Sequence, residues 1–322
     1  MRDSQSGLVE AINRRTFLGH SGIGFGTAAL GSLLGAHSSA APAPQGGYPG
    51  LPGYPNLPAR AKRVIFLCMA GGPSHLETFD YKPKLNELNG QPMPDSFTKG
   101  QPIAQLQGKK LKVQGHLTGF KRHGKSGQLI SDFLPWTAKM ADDICIVRSM
   151  LTEQINHDPA HTFMNTGTSI SGRPSMGSWL LHALGSETHD LPGYVVLSSV
   201  GRGGQSQPIA SRQWHSGFLP SNLQGVHFQS TGAPVHYVEP PPGVDLKGQR
   251  EVLKAIEEIN KQLASRLDDP EIAARVRQYE LAYRMQTSVP QLMDLSDESD
   301  ATFDMYGTRG ADGSYAANCL MA

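Results

Sequence analysis

The chain has 322 residues, enough for one large domain or two ordinary ones. Its apolar fraction of 38% lies below the globular norm, largely because 36 glycines and 23 prolines are present, so the sequence describes a loop-rich protein that can still bury a core. A formal net charge of +1 with no long run of one sign removes the electrostatic case for nucleic acid, and three scattered cysteines argue against a disulfide framework and leave no C-x-x-C signature.

The N-terminal stretch "NRRTFLGHSGIGFGTAALGSLLGAHSSAAPA" carries Arg14-Arg15, then Phe17-Leu18, a weakly apolar Gly/Ala-rich segment and small residues around Ala41-Pro42-Ala43. This resembles a twin-arginine export signal over residues 1–43. The apolar segment is too short and glycine-rich to cross a membrane. The expectation is an exported, periplasmic or extracellular protein that uses the twin-arginine machinery and keeps no stable membrane span once the signal is removed. Residues 44–60, rich in Gly, Pro and Tyr, read as a linker.

The domain is expected over residues 61–322. Val64 to Met69 is a continuous apolar run closed by Gly71-Gly72, the pattern of a buried parallel strand opening into a loop. Cys68, and Cys145 in a later apolar run, are expected as buried thiols. Residues 82–127 read as long loops with small antiparallel strands near "KKLKVQGHLTGF". Leu129, Phe133, Trp136 and Met140 recur at helical spacing, Asp142-Asp143 suit a turn, and Ile144 to Val147 suit a strand. "GRPSMGSWLLHALGSE" reads as a helix with Pro174 in its first turn and Gly185 as terminator. Leu191–Ser199 is a further buried-strand candidate. Val252, Ile256, Ile259 and Leu263 place one face on a helix. Asp269 caps a second helix with Pro270 at its first position, running to about Ser288. Alternating strand and helix predict an α/β domain with a mostly parallel central sheet.

Two stretches carry candidate chemistry. "GGPSHLETFD" follows the first predicted strand, where ligands of open α/β sheets collect. His75 and Asp80 are candidate ligands for a divalent cation and Glu77 a weaker one, against the alternative of a turn with solvated carboxylates. "HDPAHTFMNTG" follows the next strand. His157 and His161, four apart, share a face if both are helical. With Pro159 in the first turn, a helix N-terminus there suits a sulfate or phosphate group. The alternative is a structural helix capped by Asn156 or Asp158. Ser175 reads as a cap and not as a nucleophile, since no G-x-S-x-G elbow is present. "GRGGQSQ" is a weak phosphate signal without the spacing of a dinucleotide loop.

The leader, "VIFLCMAGGPSHLETFD", "NHDPAHTFMNTG" and "PSMGSWLLHALGSE" with "LPGYVVL", in this order, resemble the exported proteins grouped as domain of unknown function 1501, itself similar to a sulfatase-like branch of the alkaline phosphatase superfamily. The resemblance implies an alkaline-phosphatase/sulfatase-like sandwich, apparently truncated at its C-terminus because relatives continue further. In sulfatases a C-x-P-S-R segment is followed by Thr-Gly. Here the same frame holds His157 at the nucleophile position, Pro159, His161 at the arginine position and Thr166-Gly167. No formylglycine can form at His157, and Gly71-Gly72 replace an acidic pair of the sulfatase metal site. The implied function is a metal-dependent hydrolase (Ca, Zn or Mg) of sulfate or phosphate esters, the substrate a small-molecule or polysaccharide ester. His157 and His161 are then catalytic and His75, Asp80 and Glu77 metal ligands. The competing expectation is a non-catalytic exported binding or assembly protein on the same fold.

Overall fold

The computed structural model describes residues 48–101, 106, 108–199, 207–236, 243–267 and 269–322. The expected export signal lies outside them. So does most of the "GRGGQSQ" loop. Two compact units are present, one of Phe66–Ile170 with Gln207–Ile209, the other containing Ser171–Ser206 and Ala210–Ala322.

In the first unit, β1 (Phe120–His123) and β2 (Gln128–Ser131) form an antiparallel hairpin with Phe120 opposite Ser131 and His123 opposite Gln128. The loop Gly124–Gly127 has positive φ at both glycines. A Cβ at Gly124 would also run into the Asp142 carboxylate. That carboxylate accepts hydrogen bonds from the amides of Ser126 (2.8 Å) and Lys125 (2.9 Å), which holds the chain in its tight turn. Those bonds lower the Asp142 pKa, the Ser126 amide contributing most. A lowered folded-state value means the contribution is complete above the ordinary carboxylate range and disappears as pH falls through the lowered value. Asp142→Asn is therefore expected to lower the thermal midpoint near neutral pH. The gap from wild type should close on acidification, and a gap unchanged down to pH 2 would contradict this.

The periodicity predicted a helix through Leu129–Met140, but Gln128–Ser131 is strand, and the helix, α2, is only Pro135–Lys139, after α1 (Pro83–Glu87). Pro135 sits in the first turn because a proline inside a helix removes a hydrogen bond and clashes with the preceding turn. Phe133, Trp136 and Met140 of the predicted stripe are exposed, whereas Ile130 is fully buried against Ala138 and Ala141. Ile144 and Ile146 pack on that cluster and Cys145 and Val147 face outward. This alternation belongs to an extended chain, yet neither Ile144–Val147 nor Val64–Met69 is assigned as strand. Val64 to Leu67 and Met69 are exposed, and Cys68 and Cys145 are exposed thiols, not buried ones. Apolar, β-branched residues favour a pleated surface, but a strand also requires a neighbour to pair its backbone.

The second unit holds β3 (Val195–Leu197) and β4 (Val226–Phe228), a parallel pair with Val196 opposite His227. Helix α4 (Met176–Leu184) is capped by Ser175, whose hydroxyl accepts from the Ser178 amide, and closed by Gly185 at φ 80. Leu51 donates its amide to Ala183, and Ser186 donates to Tyr48, so this part of the linker lies along the end of α4. Helices α5 (Leu246–Leu267) and α6 (Pro270–Leu292) follow, then α7 (Asp300–Tyr306) and α8 (Tyr315–Met321). Asp269 accepts from the Glu271 amide and Pro270 opens α6 as expected. The helix passes Ser288 and carries Pro290 in its last turn. On α5, Val252, Ile259 and Leu263 of the predicted packing face are exposed. Ile256 of that face does line the cleft between α5 and α6, together with Leu253, Val276 and Tyr283, among others. The core of this unit is Phe228, Met285 and Val289, with Leu197, Val226 and Leu281 around them.

Helices and strands mix, so the class is α/β. The expected large parallel central sheet is not formed among the described residues, which hold two sheets of two strands each. No helix among them is long and apolar enough to cross a membrane.

Candidate anion site

Helix α3 spans His157–Thr166. Its cap is Asn156, in extended conformation and without a side-chain capping bond, and Pro159 is its third residue, within the first turn as expected. Gly167 closes it in the left-handed conformation, its amide reaching the Phe163 carbonyl at 2.7 Å. Cβ atoms of a helix lean toward its N-terminus, so a side chain four residues in reaches back to the first turn. The His157 and His161 rings are accordingly neighbours, 6.2 Å apart between centroids. His157 is exposed and His161 is 6% exposed.

A tight turn in which Gly72 donates to the Met69 carbonyl precedes the 3-10 turn His75–Glu77. Within that turn the amide of Gly71 donates to His161 Nε2 at 2.7 Å. Gly71 has φ of 85°, and a Cβ there would meet the Gln207 side chain at 2.8 Å, so only glycine suits the position. This bond assigns the tautomer. Nε2 accepts, so in the neutral ring Nδ1 carries the proton. Nδ1 is buried and has no hydrogen-bond partner among the described residues. A buried donor without an acceptor is costly, by about 1–3 kcal/mol. Beside an uncapped helix N-terminus it is a place for an anionic oxygen. The one lone pair that this neutral tautomer offers a cation, on Nε2, is taken by the Gly71 amide.

The three expected metal ligands are not brought together. His75 is exposed. Glu77 accepts from the Leu117 amide at 3.1 Å and lies 3.8 Å from His116 Nδ1. Asp80 pairs with Lys82 at 2.9 Å. Among the described residues no group of three His, Cys, Asp or Glu side chains is placed to hold a metal ion. Ser175 is fully buried, bonded to Ser178, and serves as a cap.

A second polar group, which spacing along the chain did not reveal, stands on the β3–β4 pair. Ser198, just past β3, lies 2.5 Å from His227 Nε2 on β4. Trp214 lies against that imidazole with ring centroids 5.6 Å apart. Burial, then the neighbouring His236, lower the His227 pKa below the ordinary histidine value. The only signal in the sequence is a histidine at the centre of the short apolar run "VHF".

These features define an α/β protein with a histidine donor held at a helix N-terminus by a glycine turn. The chain belongs to the family described as protein of unknown function, DUF1501, whose model matches residues 61–322. No curated protein and no solved structure matches it.

Proposed function

We propose that the protein is an exported hydrolase of sulfate or phosphate esters on a sulfatase-like variant of the α/β fold, with its anion site at the N-terminus of α3. The observation that carries this reading is the Gly71 amide on His161 Nε2, which makes Nδ1 a buried donor without a partner among the described residues. His161 would orient the ester's anionic oxygens. His157, exposed in the first turn, would attack phosphorus or sulfur, forming an N–P or N–S bond while the ester oxygen leaves. Water would then release the phosphate or sulfate and restore the imidazole. Export rests on the twin-arginine leader. The family resemblance also implies a divalent cation, but His75, Glu77 and Asp80 do not fit one together in this arrangement, and no step is routed through it.

The commitment of Glu77 and Asp80 to Leu117 and Lys82 favours a second reading, an exported anion-binding protein without turnover. One comparison separates the two. Wild type and His157→Ala are assayed with aryl phosphate and aryl sulfate, and phosphate binding is measured by calorimetry. The hydrolase reading expects turnover in wild type, turnover at background in His157→Ala, and phosphate affinity preserved within about threefold, since uniform binding is untouched. Binding without turnover in wild type would leave the second reading standing, and no phosphate binding would reject both.

A further inference from the structure

We infer that Ser198 and His227 form a second catalytic site, a serine nucleophile with its general base, for a carboxylic ester. The register places them together. In a strand alternate residues share a face, so Val196 and Ser198 lie on one side of β3. His227 pairs with Val196 across the parallel ladder and therefore projects on that same side, with Gln229 next along. The other side carries Leu197, Val226 and Phe228 into the core. The dyad thus stands on the face turned away from the core, with Ser198 just past the carboxyl end of β3 and His227 in the middle of β4. Both side chains are half-buried, neither sealed nor fully solvated.

The hydroxyl of Ser198 and Nε2 of His227 are 2.5 Å apart, and in the Nδ1-protonated tautomer the serine donates and the imidazole accepts. That is the relation a hydroxyl nucleophile needs with its base. The base must be neutral to accept the proton, and burial together with the nearby His236 favours the neutral ring. Trp214 against the imidazole limits its rotation and supplies an apolar wall. His236 is engaged with Gln229 at 2.6 Å.

The reaction balances with water alone. Ser198 Oγ bonds to the ester carbonyl carbon, its proton passes to His227 Nε2, and the carbonyl electron pair moves to oxygen. When that pair returns, the C–O bond of the alcohol breaks and the alcohol leaves with the proton from His227. Water attacks the acyl-serine, His227 again takes the proton, and the acid is released with Ser198 restored. Every residue involved belongs to the unit of Ser171–Ser206 and Ala210–Ala322, whereas α3 belongs to the other. The inference is independent of the α3 proposal.

The test is covalent labelling of the folded full chain with a fluorophosphonate. Oγ bonds to phosphorus, the P–F bond breaks, fluoride leaves, and the proton goes to His227. An adduct mapped to Ser198 is expected, absent from Ser198→Ala. In His227→Ala it should form at least about 100-fold more slowly. His227→Gln, which keeps a polar side chain on the strand, should slow it similarly with an unchanged thermal midpoint. No adduct on Ser198 of wild type, an adduct on another serine of this unit in its place, or labelling of Ser198 in folded His227→Gln at the wild-type rate would overturn the inference.

Discussion

Replacing His161 with glutamine is expected to weaken phosphate or sulfate binding by about 10- to 100-fold while leaving the fold in place. The magnitude follows from losing one hydrogen bond to a charged group, roughly 1.5–3 kcal/mol, at about 1.4 kcal/mol per tenfold. The choice of residue makes the experiment informative. His161 makes one protein contact through Nε2, which accepts from Gly71, and has one unused group, Nδ1. A glutamine carbonyl stands close to the Nε2 position and continues to accept from Gly71, but nothing replaces the Nδ1 donor. An asparagine does the reverse, supplying an N–H near Nδ1 and releasing Gly71. If the donor is what binds the anion, His161→Asn retains more affinity than His161→Gln. If His161 only packs the Gly71 turn, His161→Gln binds like wild type and the site assignment fails. Titration calorimetry with inorganic phosphate, beside thermal midpoints for each variant, reads the difference.

Phe228→Ala should destabilise the second unit by about 3–5 kcal/mol, the usual range for a large aromatic removed from a packed core. Phe228 is 2% exposed and lies against Met285 and Val289 of α6, so the cavity would open between the parallel strands and that helix. Pairing of Phe228 with Leu197 across the parallel strands limits how far the structure can collapse into the space. Trp214, stacked on the adjacent His227, provides a fluorescence signal for this unit in denaturant. Ile259→Ala on α5 is the contrast. Ile259 is 65% exposed, and its loss should change stability by no more than about 0.5 kcal/mol. Equal effects of the two substitutions would mean that the exposed α5 face is covered in solution.

Features settled within one or two turns of chain were legible in the sequence. Asp269 and Pro270 start α6, Gly185 ends α4, and a helix runs from the "HDPAHTFMNTG" stretch to a glycine stop. Capping and chain reversal depend on residues a few positions apart, so the local pattern carries them. The pairing of His157 with His161 on one face belongs to the same class, since it follows from helical periodicity.

Most of what the local pattern misses involves partners remote in sequence. Val64–Met69 and Ile144–Val147 have the composition of buried strands, but composition supplies no neighbour, and neither is in a ladder. The stripe at Leu129, Phe133, Trp136 and Met140 fits a helical period, but the hairpin partner Phe120–His123 draws Gln128–Ser131 into a strand and Pro135 restarts the chain. Glu77 accepts from Leu117, forty positions on, whereas Asp80 is paired with Lys82 only two positions away.

From order and residue type alone, then, came the α/β class, the helix ends and the location of a histidine pair at a helix start. The roles of the histidines required the fold, because a tautomer depends on which atom approaches each ring nitrogen. Gly71 reaches His161 from ninety positions earlier, and Ser198 meets His227 only through the strand register. Such contacts depend on tertiary packing, which no local pattern along the chain encodes.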